Sequence, residues 1–123
     1  MRWVRAKRQR ALLDWAERCF GPTALQRRQR ALRFLEESLE LCQAMELTPA
    51  DVETMSAYTF SRPGGWPRQE IGGVMMTLYS LAERIGVSVE EEELREFDRI
   101  MDPAFVAQIR VKHAQKVEAG IAQ

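Results

Sequence analysis

An uninterrupted helical period constrains this chain more than any other feature. From residue 24 to residue 45 no Gly or Pro breaks the sequence. Within that stretch Leu32, Leu35, Leu39 and Cys42 recur at three- and four-residue spacing, the period of one helix face. The punctuation elsewhere is of the same kind. Gly21-Pro22 stops a first helix expected over residues 3–19, whose apolar edge is Val4, Leu12, Trp15 and Cys19. Thr48-Pro49-Ala50-Asp51 supplies an N-cap, a proline at the first helical position and an acid at the third, opening a short helix over residues 49–60. The loop from Arg62 to Pro67 precedes a fourth helix expected over 68–85, with Ile71, Val74, Met75, Leu78, Leu81 and Ile85 as its core stripe. Gly86 ends it. Ser88 and Glu91 form a capping box for a helix to about residue 101, and Asp102-Pro103 opens a last helix towards Glu118. No strand alternation and no internal repeat interrupts this pattern. The expected fold class is all-α, a bundle of four or five main helices. It is read as a single domain over 1–123, with a basic N-terminal helix over 1–22 and a core over 24–118.

Charge narrows the function classes. Eighteen Lys and Arg balance eighteen Asp and Glu, which argues against a general polyanion binder and makes nucleic acid an unlikely partner. The distribution is nevertheless uneven. Ten of the basic residues lie in 1–33, where only Asp14 and Glu17 oppose them, while acids concentrate in 36–53 and 90–98. Such polarity suggests an anionic ligand near the first helices, or charge pairing between segments and subunits. Cys19 and Cys42 fall on apolar helical positions with no C-x-x-C pairing, so reduced thiols in a cytosolic protein are expected. No stretch reaches the apolar length of a membrane span, and Asp14 and Glu17 interrupt any signal-peptide core. The expectation is a soluble cytoplasmic protein without a membrane partner.

The chemistry centres on the long helix. In Glu36-Glu37-x-x-Glu40 three carboxylates share about 100° of arc, because residues three and four apart are neighbours on a helix. No basic residue stands one turn ahead, at 41, 43 or 44, to relieve them. Most such runs decorate a solvated face, but Glu40 borders the apolar stripe of Leu35 and Leu39, and a divalent cation is the cheapest relief for an acid turned partly inward. Arg30 and Arg33, one or two turns earlier, are read as charge partners of these acids. Glu70 opens the fourth helix at the margin of its apolar stripe. It is either a favourable first-turn acid or a further ligand that joins Glu37 and Glu40 around one metal cluster. Gly73, next on that face, permits close approach. His113 has no ligand-spaced partner and is read as a surface residue. The sequence carries no nucleophile triad, P-loop or zinc signature.

Glu36-Glu37-x-x-Glu40, a connecting helix, and Glu70-x-x-Gly73 opening an apolar helix resemble the MazG-like all-α nucleoside triphosphate pyrophosphatases, whose pattern is E-E-x-x-E followed by E-x-x-D. The phrase Gln69-Glu70-Ile71-Gly72-Gly73-Val74-Met75-Met76-Thr77-Leu78 and the Arg110-x-Lys112 tail look like the small phage and bacterial branch of that family. The resemblance covers about residues 28–116. It implies hydrolysis of a (deoxy)nucleoside triphosphate, leaning to a purine such as dGTP, to the monophosphate and pyrophosphate in nucleotide-pool control. It also implies a homodimer or a tetramer built from dimers, in a bacterial or phage-infected host cytosol. Mg²⁺, with Mn²⁺ as substitute, would be held by Glu36, Glu37, Glu40 and Glu70, and Glu36 or Glu37, whichever the metal leaves unsaturated, would be the general base. Arg110, Lys112 and Lys116 become candidates for the outer phosphates. Trp66 becomes a platform for the base or a plug at the bundle end. Gly73 departs from the pattern, standing where the wider family has a metal-binding Asp. Either three or four glutamates and water suffice, or the fourth acid comes from elsewhere, or turnover is impaired and the domain only binds nucleotide. A separate reading makes the basic first helix a nucleic-acid or protein adaptor.

Overall fold

Local capping decides where three of the helices begin. Thr48 and Asp51 form a reciprocal box: the Asp51 amide donates to the Thr48 hydroxyl at 3.2 Å, and the Thr48 amide donates to the Asp51 carboxylate at 2.8 Å. Asp102 accepts from the Ala104 amide at 2.9 Å, and Ser88 accepts from the Glu91 amide at 3.2 Å. The structure, a computed structural model, describes residues 2–122 and the side chains of residues 4–122. Among them the chain forms α1 (Arg2–Phe20), a 3-10 turn (Pro22–Leu25), α2 (Arg27–Ala44), α3 (Pro49–Phe60), α4 (Pro67–Arg84), α5 (Val89–Ile100) and α6 (Pro103–Glu118), with no strand. The class is all-α, as the period requires. Six α-helices exceed the four or five main ones expected.

The second helix is shorter than its periodicity suggests. Gly21, at φ 85°, turns the chain, Pro22 starts a 3-10 turn, and Gln26 is extended at φ −66° and ψ 132°. Only then does α2 begin. Ala24, which the helical period would assign to α2, is instead buried in the turn that packs against α1.

Three helix ends follow one scheme. The Leu47, Val87 and Ile121 amides donate to the carbonyls of Cys42, Ala82 and Lys116 at 3.0, 2.9 and 2.9 Å, closing α2, α4 and α6. The preceding residue is left-handed in each: Glu46 at φ 65°, Gly86 at φ 73° and Gly120 at φ 76°. Glycine takes that conformation freely, whereas Glu46 holds it against its own Cβ.

The chain divides into two compact units, one of Met1–Glu40 with Phe97–Gln123 and one of Leu41–Glu96. In the first, Ala16, Cys19 and Ala24 are buried where α1, the 3-10 turn and α6 meet, and Gln29 is buried with them. The Trp15 indole donates to the Ile100 carbonyl at 3.0 Å, tying α1 to the end of α5. Phe20 stands edge-on to Trp15 and 4.7 Å from the His113 ring, so His113 is half-buried beside an aromatic face rather than on the open surface expected for it. Both cysteines are free thiols, Cys19 buried and Cys42 half-buried.

In the second unit Ala82 is the one buried hydrophobic among the described residues. The stripe expected to be the core of α4 is not covered: Ile71 is 66% exposed, Val74 and Ile85 are exposed, and Met75, Leu78 and Leu81 are half-buried. An amphipathic period shows which face seeks cover. It does not say whether the same chain supplies it.

Candidate functional site

The acids of α2 are held by cations from their own unit. Arg33, one turn before them, reaches Glu36 at 3.0 Å and Glu37 at 2.9 Å, so the relief absent ahead of the cluster comes from behind it. From α6, eighty residues away, the Lys116 ammonium donates to both Glu36 oxygens at 2.7 and 2.9 Å. Glu36 is 35% exposed and Lys116 28%. The Lys116 hydrogen bond is the main cause that holds the Glu36 carboxyl below its usual value of 4.5; burial opposes it, and the Arg33 charge assists. Glu37 is more open, with Arg33 as its ion-pair partner. Glu40 is exposed and takes part in none of these ion pairs. Arg33 therefore pairs as the sequence suggests. Arg30 does not: its Nε is buried with no acceptor among the described residues, and burial, then the Arg33 charge, lowers its affinity for the proton.

The other basic candidates on α6 have different surroundings. Arg110 donates to the Arg18 carbonyl at 2.7 Å, satisfying a backbone acceptor in the last turn of α1. Lys112 is exposed. In the second unit Glu70 sits in the first turn of α4, its amide donating to the Trp66 carbonyl at 2.9 Å. Its carboxylate folds over Gly65, where one oxygen lies 2.5 Å from the place a Cβ would take. Glycine at 65 is what lets the acid lie there. Trp66, at 79% exposure, leaves its indole open beside Glu70. At Gly73 an added Cβ would meet nothing within 4 Å, so an aspartate has room there.

The structure thus brings Glu36, Glu37, Arg33 and Lys116 together in one unit, and Glu70, Gly65 and Trp66 in the other. Among the described residues no group of three or more His, Cys, Asp or Glu side chains stands close enough to hold a metal ion. The carboxylate oxygens of Glu36, Glu37, Glu40 and Glu70 are the hard donors Mg²⁺ takes, but two of the four are occupied by Arg33 and Lys116. Helical spacing sets Arg30 away from the apolar stripe of Leu32, Leu35, Leu39 and Cys42, so nothing in the sequence marks its Nε as buried. No helix among the described residues is long and apolar enough to cross a membrane. No family model, curated protein or solved structure matches this chain.

Proposed function

We propose that the protein is a metal-dependent nucleoside triphosphate pyrophosphohydrolase of the MazG-like class, acting in the cytoplasm on a (deoxy)nucleotide, with a purine such as dGTP favoured. The observation that supports it best is the pairing of Lys116 with Glu36. A residue expected to hold phosphate and one expected to hold metal, eighty positions apart, are neighbours. Mg²⁺ or Mn²⁺, held by acids of the Glu36, Glu37 and Glu40 cluster, would neutralise the triphosphate. Glu36 would be a ligand of that metal once released from the Lys116 ammonium, and Lys116 with Lys112 would hold the outer phosphates. Arg110, committed to the Arg18 carbonyl, positions α6 against α1. Glu37, with one ion-pair partner and the more open side chain, is the better placed general base. It takes the proton as water oxygen bonds to the α-phosphorus and the bond to the bridging oxygen breaks, releasing pyrophosphate. Trp66 offers a face for the base. The exposed apolar stripe of α4 gives a second copy of the chain something to bury, in line with a homodimer or a dimer of dimers.

Pyrophosphate release from a panel of (d)NTPs with Mg²⁺ or Mn²⁺ tests this, and silence across the panel at every metal concentration refutes it. Glu40→Gln should abolish turnover and leave the helix intact, since Glu40 serves no ion pair of the fold. Gly73 supports a second reading, a module that binds nucleotide without turning it over. Nucleotide binding without product, together with activity restored by Gly73→Asp, would establish that reading.

A further inference from the structure

The first unit holds a partly open cavity of about 250 Å³ beside the Glu36–Lys116 pair, with a part that the triphosphate reading does not use. Phe20, Leu35, Leu39 and Ile121 give it apolar walls. Arg30, Arg33, Lys116 and Glu36 line it as well, so three cations face one anion. That anion is already engaged by Lys116 and Arg33. Arg30 is left with a buried Nε–H and no acceptor. A buried donor without a partner is costly, and a desolvated guanidinium more so. Arg33 Nη1 is likewise buried and, although 3.0 Å from Glu36, makes no hydrogen bond, so the open valence in this cavity is for negative charge, at Arg30 and Arg33, beside hydrocarbon.

We propose that the cavity binds a small organic anion with an apolar body, a short-chain or aryl carboxylate. Its carboxylate accepts from Arg30, and its hydrocarbon lies along Phe20, Leu35 and Leu39. Size sets the class. At about 30 Å³ for each water-sized group the space admits on the order of eight non-hydrogen atoms, enough for hexanoate or benzoate. The cavity shares Glu36 and Lys116 with the proposed triphosphate site, but Arg30 and the apolar wall have no part in that reading, so carboxylate binding holds whether or not the protein hydrolyses nucleotides. Guanidinium suits it better than ammonium, because a planar, weakly hydrated cation loses less on burial and matches a carboxylate with two parallel donors.

Calorimetric titration of the whole protein with hexanoate, in the absence of nucleotide and divalent metal, is the test. Hexanol and hexylamine are the controls for apolar and cationic association with the exposed stripes elsewhere. Hexanoate should bind one per chain with Kd on the order of 0.1–1 mM, while both controls bind at least about tenfold more weakly. Arg30→Met keeps the stem and removes the donor; it should weaken hexanoate about tenfold without lowering the urea midpoint, because it also removes a desolvated cation. Ile121→Trp, at an exposed wall position, should block the cavity without touching the charge. Equal affinity for hexanol, an unchanged hexanoate affinity in both variants, or no binding up to about 10 mM overturns the proposal. Pyrophosphate release is read separately, so failure of hydrolysis leaves this result standing and the converse also holds.

Discussion

The Lys116–Glu36 pair makes the sharpest prediction, because it joins two helices by charge alone and its surroundings fix its size. Two unit charges about 4 Å apart attract by about 1–4 kcal/mol between bulk-water and protein-surface screening. Both side chains are about a third exposed, and holding a lysine in one geometry costs rotamer freedom, so the net is at the upper end of a surface pair, about 1 kcal/mol. Single substitutions do not isolate it. Glu36→Gln also releases Arg33 to Glu37 alone, and Lys116→Met leaves Glu36 with Arg33. The double-mutant cycle removes those shared terms, and urea unfolding of the four proteins at pH 7 should give a coupling of about 1 kcal/mol. In a thermal scan that corresponds to about 3–6 °C for a chain of this size.

The pH dependence of the coupling has a definite sign. Lys116 lowers the Glu36 carboxyl below its usual value, so the stabilisation is fully present above the unfolded-state carboxylate pKa. It is lost as pH falls through the lower folded value. Coupling should therefore be flat from neutral pH down to about 4.5, decline below that, and shrink at every pH as salt is added. A coupling within about 0.3 kcal/mol of zero at pH 7, or one that persists in strong acid, would refute the assignment of Lys116 as the main partner of Glu36.

Two further predictions concern the frame around the site. Trp15→Phe keeps an aromatic ring but removes the donor to the Ile100 carbonyl and part of the indole's volume, which together should cost about 1–3 kcal/mol in urea unfolding. Glu46→Gly relieves the left-handed residue that closes α2 and should stabilise by about 0.5–1 kcal/mol, while Gly86→Ala at the equivalent position of α4 should destabilise by a similar amount; equal effects of the two would refute the strain argument.

What could be read from the sequence was what depends on near neighbours. Thr48 with Asp51, and Asp102 ahead of Pro103, mark helix starts because a cap is made within three residues. Arg33 with Glu36 and Glu37 is likewise a one-turn relation. The break at Gln26 escaped because the residues after Pro22 keep an apolar period through a 3-10 turn, whose hydrogen bonds differ from those of a helix by one residue of register. Lys116 on Glu36 escaped for another reason: periodicity shows that α6 has a basic face and α2 an acidic one, but not that they meet. Cover for the α4 stripe is the same kind of unknown. Ile71 and Val74 are placed at helical spacing whether another helix of this chain or a second copy is to lie on them.

The charge argument was right about the need and incomplete about the source. Three carboxylates on one turn and a half of helix require cations, and the fold supplies two from its own chain, Arg33 and Lys116. Those two account for Glu36 and Glu37 without any metal. They do not account for Glu40, which stands exposed beside the same apolar stripe and pairs with neither. If the cluster exists only to bind α2 to α6, Glu40 is idle and its amide should be silent in every assay. If the cluster exists to hold a divalent cation, Arg33 and Lys116 are counter-ions that keep the acids together until it arrives, and Glu40 is the ligand with no other employment. Stability measured alongside turnover in Glu40→Gln separates the two: an unchanged melt with lost pyrophosphate release assigns the third acid to chemistry, and an unchanged melt with full release assigns it to the solvent.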